Sequence, residues 1–235
     1  AEKGSKMTYR VGGVVLTREM MLVKNKEQIL IKITLEEAHS DTRIQFRPFL
    51  AFRNIHQLSK ENLFLNRHYS PVKNGIRSRM YEGYPDLFMQ FSKTVDFVPV
   101  PDWYYNVEYL EEQYRGYDYK EDLYVPGYFE ADIKKGESIV FSASTEEVSP
   151  TGLKRKFQAE AEDRIPLDSF INCLYNSAEQ FLLKKKSFTG ILAGFPWHGV
   201  RGRDTFISLP GLTLSTGRSD LAFDVIKSMV AKLKN

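Results

Sequence analysis

The sequence predicts an antiparallel β-sandwich followed by a helical segment, and two observations predict it. From Tyr9 to about Ser149 apolar residues recur with a period close to two, the spacing of strands with one buried face. From Leu167 onward they recur at three and four residues, the spacing of amphipathic helices. Between the two, Val148-Ser149-Pro150-Thr151-Gly152 is a turn signal, and Lys154 to Arg164 is charge-rich with few apolar residues. The expected organisation is a β-sandwich over residues 1–149, a linker over 150–166 and helices over 167–235.

Within the β region, Ile31, Ile33 and Leu35 alternate with Lys32, Thr34 and Glu36, and Ile44 and Phe46 alternate with Gln45 and Arg47. Leu87, Met89 and Phe91 share one face, as do Ile139, Phe141 and Ala143. Lys24-Asn25-Lys26-Glu27, Asn74-Gly75 and Lys135-Gly136 have the composition of reversals between such strands. Between Asp102 and Tyr128 the alternation fails, and aromatics such as Trp103, Tyr105, Tyr114 and Tyr117 crowd beside carboxylates such as Glu108, Glu121 and Asp122. Sugar sites use that mixture, and so do domain interfaces, because Tyr and Trp bury apolar area while keeping a polar handle. An insertion packed at an interface is the more economical reading.

In the helical region Asp168 is expected to cap a helix that buries Phe170, Ile171, Leu174, Ala178, Phe181 and Leu182, with Lys184, Lys185 and Lys186 in its last turn, where cations suit the dipole. A break across 186–202 carries Gly194, Gly199 and Gly202, residues that let a loop fold tightly. A helix then starts near Arg203 and is strained or ended around Pro210-Gly211. Ser219 opens another, with Leu221, Ala222, Val225, Ile226, Met229, Val230 and Leu233 facing inward.

Composition narrows the function classes. The 235 residues are 42% hydrophobic, ample for a packed core, and 33 basic against 30 acidic residues leave a net charge of only +3. Charge is spread along the chain with no basic stripe or polybasic patch, so neither nucleic acid nor a membrane surface is an expected partner. No apolar run reaches the roughly 20 residues of a membrane-spanning helix. The four histidines have no zinc-like spacing, and neither a metal nor a cofactor is expected. Cys173 is the sole cysteine, which excludes an internal disulfide and is compatible with a reducing, cytoplasmic setting. No charged-then-apolar leader opens the chain, whose strand pattern begins almost at once, so the sequence reads as starting inside a longer polypeptide.

Three blocks in order then carry a resemblance: Gly194-Phe195-Pro196-Trp197, Gly202-Arg203-Asp204-Thr205, and Ser208-Leu209-Pro210-Gly211-Leu212-Thr213-Leu214. They resemble the start of the catalytic domain of glycogen debranching enzymes of the amylo-α-1,6-glucosidase type, and more distantly the glucoamylases. Upstream, Arg47-Pro48-Phe49, Trp103-Tyr104-Tyr105-Asn106 and the stretch from Arg115-Gly116-Tyr117-Asp118 to Pro126-Gly127 are similar to the β-rich domain that precedes the barrel in bacterial members. The resemblance implies an (α/α)6 barrel, of which this chain holds the first helices. It also implies a glycoside hydrolase that cleaves α-1,6 branch glucose of glycogen or branched dextrin with inversion. No catalytic residue falls in the chain on that reading. The acid and base carboxylates are expected beyond residue 235, in the remainder of the same polypeptide, and the isolated chain is expected to be inactive.

The resemblance also implies the substrate-binding residues. Arg203 and Asp204 match a pair that hydrogen-bonds the terminal glucose, a task suited to a forked donor beside a double acceptor. On the two residues alone, Arg203-Asp204 reads first as a helix cap with a local salt bridge. Trp197 either stacks on the sugar or wedges the first helix pair apart. His198 joins the candidate set, although His198 and Arg201 stand where many relatives carry a more aromatic filling, which leaves the linkage preference open. Two rival functions remain at this stage: a non-catalytic sugar-binding or scaffold sandwich, and a barrel hydrolase for another α-glucoside.

Overall fold

The computed structural model describes residues 4–185, 187–195 and 198–233. The chain divides into two compact units, Gly4–Asp163 and, C-terminal to it, Arg164–Asn235.

The first unit is built on ten strands: β1 Ser5–Val11, β2 Val14–Leu22, β3 Gln28–Glu37, β4 Thr42–Phe46, β5 Tyr69–Val72, β6 Gly75–Ser78, β7 Leu87–Phe91, β8 Asp96–Glu108, β9 Lys120–Ile133 and β10 Ser138–Ser144. The short helix α1, Leu110–Tyr114, connects β8 to β9. A seven-stranded sheet runs in the order β1-β2-β3-β10-β7-β6-β5, and a three-stranded sheet in the order β4-β9-β8; the strand pairs within both are antiparallel. Leu35, Ile76, Met89, Phe91 and Ile139 from the first sheet interlock with Phe129, Ala131 and Ile133 from the second, so the two pack face to face. The expected reversals are present: Asn25 and Asn74 take positive φ in the turns after β2 and β5, and Gly136 does so between β9 and β10.

Residues 150–166, expected as a linker, are largely part of this unit. After a single 3₁₀ turn at Pro150–Gly152, helix α2, Leu153–Glu162, lies on the far face of the large sheet. Leu153 and Phe157, one turn apart, pack on Met21, Val23, Leu30 and Val140. Only two apolar residues of α2 are fully buried, and against a charge-rich background that stripe is too sparse to register in the sequence. Lys156 lies between the layers: burial pushes its ammonium pKa down, and it donates to Gln28 Oε1.

The aromatic stretch from Asp102 to Tyr128, expected as an insertion, is instead most of the longest hairpin in the fold, β8 with β9. Its alternation fails because β8 slips register twice, between Pro99 and Asp102 and between Tyr104 and Val107, and each bulge changes which side chains share a face. A buried ion pair pins the hairpin to the preceding loop. Glu121, 0% exposed, receives both arms of the Arg53 guanidinium at 2.5 and 3.0 Å, the Ser59 N–H and hydroxyl at 2.9 and 2.8 Å, and the Tyr109 hydroxyl at 2.6 Å. Burial pushes this carboxyl up, but the hydrogen bonds from Arg53, Ser59 and Tyr109 outweigh it and hold the pKa at about 2.

The second unit contains helix α3, Phe170–Phe181, a three-stranded antiparallel sheet of β11 Leu182–Lys185, β12 Phe188–Gly194 and β13 His198–Val200, and helices α4, Gly202–Leu212, and α5, Ser219–Val230. Sequence periodicity foresaw the three helices and missed the sheet. Lys184 and Lys185 therefore lie in β11, beyond the helix whose last turn they were expected to occupy, and Lys186 lies outside the described residues. Ser169, extended, caps α3 by accepting from the Asn172 N–H at 3.2 Å; Asp168 instead accepts from the Asn172 side chain. The core is Ile191, Leu209, Ala222 and Val225, with Phe181, Leu182, Leu212 and Met229 against it. Much of the predicted inward face is exposed within this chain, including Phe170 at 76% and Ile171 at 58% on α3, and Ile226 and Val230 on α5. Pro210 does not end α4, which runs two residues further to Leu212.

Two outcomes follow from the β unit. Phe157→Ala should lower its stability by about 3 to 5 kcal/mol in urea unfolding; a change near zero would return 150–166 to the status of a linker. Because the folded pKa of Glu121 lies below its unfolded value, its contribution is present above about pH 4.5 and is lost as pH falls toward 2. Glu121→Gln should therefore cost about 3 kcal/mol at pH 7, where it strands Arg53, and much less near pH 2, as read by denaturant melts at both pH values.

Candidate functional site

The turn from β12 through β13 into α4 carries three of the four predicted residues, His198, Arg203 and Asp204. Gly190 leaves room for its neighbours: a Cβ there would stand 2.6 Å from the Phe188 ring and 3.0 Å from Val200 Cγ2, so any larger residue would make those side chains shift. Gly199 and Gly202, expected to supply unusual backbone angles, take none; positive φ in this unit falls at Gly217, which ends the 3₁₀ turn before α5.

Helix α4 is anchored by its inner face. Thr205 and Leu209, one turn apart, are buried, and the Thr205 hydroxyl reaches the Ile191 carbonyl of β12 at 3.4 Å. Ser208 donates to the Asp204 carbonyl at 2.7 Å, and Thr213 to that of Leu209 at 2.6 Å. Arg218 secures the far end: it donates to the Leu212 carbonyl at 3.2 Å and the Thr216 hydroxyl at 3.1 Å, and pairs with Glu179 of α3.

The opposite end of α4 carries the candidate residues. The N-cap is Arg201, extended and without a side-chain capping bond, so Arg203 and Asp204 are the second and third helical residues. Arg203 is exposed and Asp204 half-buried. Neither side chain makes a hydrogen bond or ion pair among the described residues. The structural alternative for this pair, a cap with a local salt bridge, is therefore not what the geometry displays. Asp204 retains only the diffuse support of the helix N-terminus, which favours a carboxylate. His198 is exposed on β13, its Nδ1 3.1 Å from Arg201 Nη2, which orients both side chains beside the start of α4. Trp197 lies outside the described residues. The element thus presents a forked cation and a carboxylate from one turn of a well-anchored helix, with an imidazole and a second guanidinium beside them.

Comparison with known families gives two matches. The profile described as glycogen debranching enzyme N terminal matches residues 1–140, more than half of the 235. The profile described as amylo-alpha-1,6-glucosidase matches residues 176–235, the stretch that holds β12, β13, α4 and α5. The chain belongs to the glycogen debranching enzyme family. Comparison with curated proteins gives no match. In this debranching-family chain the boundary between the two matches falls within 141–175, the stretch that contains α2 and most of the first turns of α3. Among the described residues no helix is long and apolar enough to cross a membrane, and no group of three or more His, Cys, Asp or Glu side chains stands ready to hold a metal ion.

Residue types at α4 were legible beforehand, but the contribution of Arg218 was not, since a lone arginine in a Gly-Arg-Ser turn carries no sequence signal for a bond to another helix. Arg218→Ala should lower the stability of the C-terminal unit by about 1 to 2 kcal/mol, because two partly exposed acceptors and an ion pair are lost together. Hydrogen exchange should speed up at the Thr213 and Gly217 amides while the β-unit amides are unchanged, and uniform exchange throughout would contradict the assignment.

Proposed function

We propose that this chain supplies the sugar-holding floor of an α-1,6-glucosidase acting on branch glucose of glycogen or a related α-glucan. The observation that carries the reading is the state of Arg203 and Asp204: a donor fork and a double acceptor fixed on the first turn of α4, with no partner of their own among the described residues. A glucose unit presents adjacent hydroxyls that donate and accept at once, and such a pair satisfies both roles. The amylo-alpha-1,6-glucosidase match over this stretch supports the same substrate class.

On this reading Gly4–Asp163, with α2 packed on its sheet, is the β domain, and 167–235 opens an (α/α)6 barrel. The exposed apolar stripes of α3 and α5 are the faces that further barrel helices cover. Inverting hydrolysis needs one protonated carboxyl on the leaving oxygen and one carboxylate activating water about 6.5 to 9.5 Å away. That pair comes from beyond residue 235. Asp204 does no proton transfer here: it holds hydroxyls so that the scissile bond lies between the two carboxyls, and Arg203 orients the same ring from the adjacent position. His198, with Arg201, shapes the rim and biases which branch is admitted.

Asp204→Asn in the polypeptide that carries the complete barrel separates the two roles. Asn is nearly isosteric and equally tolerated near a helix start, so the melting temperature should stay unchanged. Loss of a charged acceptor should cost about 1.5 to 3 kcal/mol in kcat/KM on branched dextrin. Full activity with unchanged melting would remove Asp204 from the sugar site.

A further inference from the structure

A concave feature lies wholly within the β unit, on the outer face of its three-stranded sheet. Arg47, Asp102, Tyr104 and Tyr128 wall a shallow cleft beside Gly127. Tyr128 points outward because its neighbour Phe129 points into the sandwich core. The cleft exists because of a backbone device. Gly127 has φ +146, and a Cβ there would stand 2.2 Å from the Val98 carbonyl oxygen, so only glycine allows β9 to come so close to β8. Opposite it, the register slip between Pro99 and Asp102 re-aims the next side chains of β8.

Those side chains are preorganised. Arg47 donates to the Tyr104 hydroxyl at 2.5 Å and to Gln45 Oε1 at 3.3 Å, while its guanidinium carbon lies 5.5 Å from the centre of the Tyr128 ring. Phe49 stands edge-on to Tyr104 with ring centres 4.7 Å apart. Asp102 spends one carboxylate oxygen on the Trp103 N–H at 2.8 Å, and its second accepts nothing among the described residues. Two half-exposed rings are therefore already immobile, so a ligand that lands on them meets little further ordering cost.

The charges select the class of ligand. Asp102 opposes an anion and Arg47 opposes a cation, while the nearby Glu130 and Asp132 of β9 are already paired with Arg43. A neutral polyhydroxyl ligand meets no such penalty: it can accept from the guanidinium, donate to the free carboxylate oxygen and lay its C–H surface on a tyrosine ring. We propose that this cleft is a docking subsite for a glucosyl unit of an α-glucan chain, an assignment that rests on the glucan reading given above. It would hold the polymer through the β unit, and it accounts for the Arg47-Pro48-Phe49 and Tyr104 blocks, which the α4 element leaves unused.

Affinity electrophoresis of the 235-residue chain through glycogen-containing gels tests it. The unaltered chain should be retarded, and Tyr128→Ala and Arg47→Ala should each weaken the apparent affinity about tenfold with unchanged melting. Tyr104→Phe, which removes only the hydroxyl that Arg47 holds, is the variant of choice if either truncation unfolds the chain, and it should still weaken retention measurably. Retention unaffected by all three cleft variants would overturn the subsite and leave the glucan reading standing. So would a change confined to oligomeric state in sedimentation, which would make the cleft a contact between copies. No retardation of the unaltered chain would also overturn it, and the glucan reading would fall with it only if the polypeptide with the complete barrel released no glucose from branched dextrin.

Discussion

Burial of the β3/β10 ladder on both faces is the constraint on which the larger unit depends. Odd-numbered residues of these strands, Leu35 and Ile139, enter the core shared with the three-stranded sheet, while even-numbered Leu30 and Val140 meet Leu153 and Phe157 of α2. A sheet covered on one side only would expose that second row to water, at about 25 cal/mol for each Å² of apolar surface. Strand and helix are thus parts of one packing solution. The three-stranded sheet inherits its position from the same ladder, since β9 runs directly into β10 and carries Phe129, Ala131 and Ile133 into the shared interior.

On that frame the hairpin of β8 and β9 is free to be irregular. Its bulges would be costly in the centre of the large sheet, but β8 is an edge strand, where a slip breaks few ladder bonds. What the slips cost in regular pairing is offset by Glu121 and Asp122, which gather donors from the neighbouring loops and from the bulge itself. Asp122 accepts from the Asn106 N–H at 2.9 Å, next to the second bulge, and from the Glu61 N–H at 3.2 Å. The result is a rigid but unevenly shaped rim, the kind of surface on which a concave site can be built.

The smaller unit follows a different logic. Its core is four buried residues, with partly buried neighbours, drawn from β12, α4 and α5. Polar ties to carbonyls from Thr205, Ser208, Thr213 and Arg218 do much of the positioning that apolar contact does elsewhere. That division fixes the inner face of a helix at whose start Arg203 and Asp204 make no side-chain bond among the described residues. A carboxylate left without a protein partner beside a helix N-terminus is tolerated because the dipole favours its charge.

By itself the sequence determined the change from strands to helices, the positions of the main reversals, the start of helices near Arg203 and at Ser219, and the residue types at the start of α4. These are local properties: period, turn chemistry and short motifs are all written within a few neighbouring residues. Only the tertiary structure decided that 150–162 is a packed element, that the aromatic stretch is a twice-slipped hairpin, and that the glycine-rich segment after α3 is a sheet. It also decided that, among the described residues, Arg203 and Asp204 make neither a side-chain cap nor a salt bridge, and that Arg47, Tyr104 and Tyr128, far apart in the chain, meet around Gly127. Each of these depends on which surface lies across from a residue. A sparse stripe such as Leu153 and Phe157 becomes meaningful only once Leu30 and Val140 stand opposite it.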